Sequence, residues 1–271
     1  MNEVLLLRGV ETIKGDGYTL HQVLDFSDEM KSALRKELVS ICRGVSALCS
    51  RRKTDSYKAV VGELVTRVLK KDENGRKGVI GELLVHLMVK VEMPDKRAAS
   101  ALFDLEDRSF KKGFDLTLCD SVSNALWFTE VKSGEAPQNS SLADTMDDLL
   151  MRAKRDLIHR LDNDDAYSLW TNAIQHAERA LSNNPDKKQA VVEILDDLYD
   201  KSSSGLYDHT EASAILAAIV FDKRTDELLE EDVRKSYEWH KRNDGFGGLI
   251  ILAMQKATYS AVLDFLRQEA Q

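Results

Sequence analysis

Two carboxylates and a lysine near the middle of the chain are spaced for metal chemistry. They lie in Lys112-Gly113-Phe114-Asp115 and in Trp127-Phe128-Thr129-Glu130-Val131-Lys132-Ser133-Gly134. Residues 114–119 alternate apolar and polar side chains, and residues 125–131 are rich in aromatic and β-branched ones. Both stretches read as strands, and the polar residues 120–124 between them read as the loop of a β-hairpin. Alternate side chains of a strand share a face, so Glu130 and Lys132 point one way and Val131 points to the core. The hairpin returns Asp115 to the side of Glu130. Two carboxylates meeting there offer hard oxygen ligands suited to Mg2+ or Mn2+. A lysine beside them can orient or deprotonate a water and offset charge on a phosphate. That is the equipment of metal-assisted phosphodiester hydrolysis.

A helix upstream adds a further acid. Between Val79 and Val91 the only ionisable residues are Glu82, His86 and Lys90, spaced i, i+4 and i+8 along one stripe of an otherwise apolar helix. If that stripe meets the hairpin, Glu82 joins the carboxylate cluster. His86 reads as a support for a ligand rather than a ligand itself. Hard cations prefer oxygen, and no second histidine lies at a useful spacing.

Gly81-Glu82, then Gly113-Phe114-Asp115, then Glu130-Val131-Lys132 resembles the PD-(D/E)xK nuclease superfamily. More narrowly, Lys77-Gly78-Val79-Ile80-Gly81-Glu82-Leu83-Leu84-Val85-His86 with the two later motifs looks like the HamA-like nuclease subunit of Hachiman-type antiphage defence, to which AbpA is related. The resemblance covers residues 76–134. Phe114 stands where the superfamily's nominal motif has proline. The resemblance implies that Asp115 and Glu130 bind a divalent metal, Mg2+ or Mn2+, with the Val131 carbonyl as a further ligand. It implies that Lys132 positions the attacking water and that Glu82 binds metal directly or through water. It also implies a helicase partner, in a heterodimer, that restrains the nuclease and senses aberrant DNA.

Plainer readings stand beside these. Glu130 and Lys132 could form an exposed cross-strand ion pair, worth less than about 1 kcal/mol. Asp115 could be a strand-entry residue after Gly113, and the 82–86–90 stripe a solvated helix face. Arg76, Lys77, Lys111 and Lys112 could contact phosphates, or could simply keep the hairpin end soluble. A non-catalytic adaptor that tethers a helicase to DNA through these cations is the alternative function.

These residues sit in a chain of 271 residues with a formal charge of −8. The charge is uneven: residues 31–112 carry 19 basic and 11 acidic side chains, whereas residues 113–271 carry 17 and 29. A basic middle can track a phosphate backbone, and the acidic remainder can face a basic partner or solvent. Three cysteines give no disulfide framework, and no P-loop is present, so the chain is not expected to hydrolyse ATP. No apolar run is long enough for a membrane helix, and no secretory leader is evident, so a cytoplasmic protein is expected.

The elements that must hold the motifs follow from periodicity. Helices are expected over 30–48, 55–70 and 77–91, the last beginning after a break at Asn74-Gly75. More follow over 142–161, 166–181, 187–200, 231–241 and 258–269. Residues 98–103, 212–221 and 249–254 read as further strands, and residues 1–30 as irregular or short strands turning at Gly15 and Gly17. The fold class is α/β, with a PD-(D/E)xK restriction-endonuclease-like core, a central mixed sheet flanked by helices, and extra helical decoration. Residues 1–71 are expected to form a mainly helical segment packed on a core spanning 72–271, with a helical insertion at about 142–201.

Overall fold

The computed structural model describes residues 7–103, 113–162, 167–223, 226–243, 245–257 and 259–271. The chain opens with a hairpin, β1 (Val10–Lys14) and β2 (Tyr18–Val23), turning at Gly15 and Gly17. Three helices follow, α1 (Asp28–Arg43), α2 (Tyr57–Leu69) and α3 (Glu73–Glu92). Next come β3 (Lys96–Ala98), β4 (Leu116–Asp120) and β5 (Leu126–Glu135). Three more helices, α4 (Leu142–Leu161), α5 (Tyr167–Ala180) and α6 (Pro185–Ser203), precede β6 (Ser213–Phe221). The described chain finishes with α7 (Glu230–Arg242), β7 (Gly248–Lys256) and α8 (Ser260–Ala270).

The helix starts are written in short polar side chains. Ser27, Ser56, Asp72 and Ser141 each accept a hydrogen bond from the backbone N–H of the residue three positions on. Such a cap is worth about 1 kcal/mol. Asp72 explains why Asn74-Gly75 does not break the chain. Its carboxylate takes the Gly75 N–H, so α3 begins at Glu73 and runs through the Asn-Gly pair in its first turn.

Among the described residues the seven strands form one mixed sheet in the order β1-β2-β7-β6-β5-β4-β3. β2, β7, β6 and β5 are parallel neighbours, and antiparallel strands flank them on both sides. The two outermost strands are short and partly exposed, which limits edge-to-edge pairing. The short strands expected before residue 30, turning at Gly15 and Gly17, are β1 and β2, and they are woven into the central sheet.

Helices cover both faces, giving three layers. β6 shows how one strand serves two cores. Ile215, Ala217, Ile219 and Phe221 enter a core shared with α1, α2, α3 and α8, while Ala214, Leu216, Ala218 and Val220 enter the other, under α4, α5 and α7. α3 lies close on β5 at Gly81, where a Cβ would come within 2.9 Å of the Ser133 side chain. Ser133 Oγ donates to the Lys77 carbonyl at 2.9 Å, fixing the crossing. Among the described residues no helix is long and apolar enough to cross a membrane.

Candidate functional site

β5 outruns its antiparallel neighbour. The last paired residues are Leu116 and Thr129, yet β5 continues to Glu135. Glu130 and Lys132 are therefore mid-strand residues, not the strand-end residues the apolar pattern suggests. Asp115 stands in the notch where β4 begins. Its Oδ2 accepts the Val131 N–H at 2.8 Å, so the carboxylate continues the ladder where the β4 backbone stops. The N–H and C=O of one strand residue project to the same side, so the Val131 carbonyl faces the same notch.

Asp115 is fixed from three directions. The Val131 N–H holds its carboxylate in the plane of the sheet. The Phe114 ring beside it packs on Phe128 at 4.4 Å and on Trp170 at 5.7 Å, within the core under α4 and α5. From the opposite face the His86 ring of α3 hydrogen-bonds the Asp115 backbone. Burial pushes His86 down to about 4, although the bond to Asp115 works against that shift. The imidazole is neutral at physiological pH. Glu82, one turn earlier on α3, is half-buried, and Lys90 leaves the stripe to pair with Glu37 of α1 at 2.9 Å.

Glu130 is fully buried. An exposed ion pair is thereby excluded. Lys132 Nζ donates to Glu130 Oε1 at 2.7 Å and also contacts Asp156 Oδ2 at 2.8 Å. Arg160 Nη1 donates to Glu130 Oε2 at 2.5 Å and reaches the Gly113 carbonyl at 3.3 Å. Burial and then the charge of Asp115 push Glu130 above the ordinary carboxylate range, while Arg160 and Lys132 pull it back. Burial lowers Lys132, but Glu130 and Asp156 more than reverse this and hold the ammonium above its ordinary value.

Asp156 and Arg160 both come from α4, inside the stretch expected to be a decorative insertion. Sequence reading passed over them. They sit i, i+4 on a helix that carries a similar pair, Asp148 and Arg152, on its exposed surface. Spacing alone could not tell the inward pair from the outward one.

The expected phosphate contacts are placed differently. Arg76 donates to the Leu69 and Lys71 carbonyls and so closes the end of α2. Lys77 is buried, with ion pairs to Glu73 and Glu135 at 3.1 Å each. Arg76 is half-buried. Lys111 and Lys112 lie outside the described residues.

The donor set suits a hard divalent cation: Asp115, Glu130 and the Val131 carbonyl would each offer an oxygen to one notch. It is not a closed protein cage, since among the described residues no group of three His, Cys, Asp or Glu side chains is gathered to hold a metal. A Mg2+ site fits such an open set, because Mg2+ takes one or two carboxylates and completes its shell with water and substrate phosphate.

Fold and notch together define a mixed α/β protein with a buried acid–base cluster mounted on its central sheet. The HamA family model matches residues 5–252, and the chain belongs to the HamA family. That membership ties it to Hachiman-type antiphage defence. No curated protein matches the chain by sequence.

Proposed function

We propose that the chain is a divalent-metal-dependent deoxyribonuclease, the effector of a Hachiman-type defence complex, restrained and released by a helicase subunit. The observation that carries this reading is the convergence of Asp115 and Glu130 at the notch, with Lys132 seated on Glu130. Asp115, Glu130 and the Val131 carbonyl would hold Mg2+ or Mn2+, with Glu82 bound directly or through water. When bound, the cation supplies Lewis acidity at the scissile phosphate and offsets its charge. Lys132 keeps its proton and uses Nζ to orient the attacking water and to counter charge developing on the phosphate. His86 and Phe114 keep the Asp115 backbone from drifting, which matters because misplacing a catalytic group by about 1 Å can cost about a hundredfold in rate.

The adaptor alternative needs free cations around the motif. Arg76 and Lys77 are engaged with carbonyls and carboxylates, which favours the nuclease reading. The test is plasmid nicking by the full chain, alone and with its helicase, ATP and DNA ends, in Mg2+, Mn2+ and EDTA. Wild type should nick only with metal, and Glu130→Ala/Lys132→Ala should lose at least about a hundredfold. Equal nicking by the double variant, or none by wild type even with the helicase, would sink the proposal.

A further inference from the structure

Both oxygens of Glu130 are already held by cations, Oε1 by Lys132 and Oε2 by Arg160. A divalent ion approaching this buried carboxylate therefore meets two positive charges. Lys132 belongs to the same strand two residues on and has a second carboxylate, Asp156. Arg160 arrives from another element, the last turn of α4, and among the described residues its further contact is a long one to the neutral Gly113 carbonyl. A guanidinium cannot relieve the conflict by giving up its proton, since it stays charged at every working pH. α4 itself cannot retreat cheaply. Leu149, Ala153, Leu157 and Leu161 are buried in the core beneath it. The side chain can leave alone, because Arg160 is about a quarter exposed whereas Glu130 is not exposed at all.

We propose that Arg160 is a positioning residue and resident counter-ion: it holds the Glu130 carboxylate in place before metal loading, and it must withdraw from Oε2 when a divalent cation binds. The inference rests on the metal-dependent reading above. It adds that loading exchanges one cation for another on the same oxygen, and that the freed guanidinium then stands beside the notch.

The experiment is Mn2+ binding to the full chain by titration calorimetry at one fixed pH. Wild type should bind, and Glu130→Gln should bind far more weakly. Arg160→Gln should bind about tenfold more tightly than wild type, since a repelling charge is gone. Arg160→Lys, which keeps the charge, should stay near wild type. A purely structural arginine predicts unchanged or weaker binding in Arg160→Gln, and that result overturns the proposal while leaving the nuclease reading intact. No Mn2+ binding by wild type overturns both. Should Arg160→Gln fail to fold, dicarbonyl footprinting of wild type decides. Arg160 should react faster with Mn2+ present, and unchanged protection would refute its withdrawal.

Discussion

Phe114 occupies the place directly before the first acid, and its ring does more than fill space. It joins Phe128, Trp170 and Tyr207 in a chain of edge and tilted contacts beneath the notch. A proline could rigidify the backbone here but could not reach that cluster. Phe114→Ala should cost about 3–5 kcal/mol by leaving a cavity, read as a lowered midpoint in urea. Phe114→Leu should cost less and retain more nicking activity. Equal losses in the two variants would show that the ring's contacts do not hold Asp115. The polar residues of the site show the complementary rule. Glu130 is stable in a buried place because each of its oxygens has a cation, and a lone buried carboxylate would instead take up a proton.

At the scale of elements, the crossing of α3 over β5 sets the site's depth. Gly81 lets the helix come down onto Ser133, with Glu82 beside it and His86 one turn further on. A helix-interior glycine ordinarily costs about 1 kcal/mol relative to alanine. Here the close contact dominates: Gly81→Ala should destabilise by about 1–2 kcal/mol net and reduce cleavage. Gly81→Ala/Ser133→Gly should recover part of both losses, a coupling that a double-mutant cycle in urea measures directly. Separate, additive effects would mean that the crossing does not control the site. Much of this arrangement was legible in the sequence. Helical spacing located α4, apolar runs located β6 and β7, and the Asp115, Glu130 and Lys132 set stood out by residue type and strand context. The misses have local causes. A strand's length cannot be read once its residues turn polar, so the 132–135 stretch of β5 was invisible. Sheet order is a long-range property, so nothing in residues 10–23 told that they pair with β7. The inward pair of α4 depended on which helix face the sheet would take.

At the scale of the whole molecule, His21 in β2, His86 in α3 and His240 in α7 are buried in separate places. Burial lowers each to about 4. The unfolded chain takes up these protons near 6.5, whereas the folded form resists until about 4. Stability should therefore fall as pH drops from 6.5 towards 4, by about 1–2 kcal/mol for each histidine at pH 5. Glu130, raised in the fold, acts in the opposite direction but is one group against three. Thermal melts at pH 7.5 and 5 check this, and equal midpoints would contradict it. The sheet also ties distant parts of the chain together, since β2 finds its parallel partner only in β7. Seen from the ribosome, that order imposes a delay. A nascent chain that has not reached residue 213 lacks both β6 and β7, so β5 has no parallel neighbour and α4 has little to pack on. The carboxylate notch thus takes its final support only after β6 and β7 have been made.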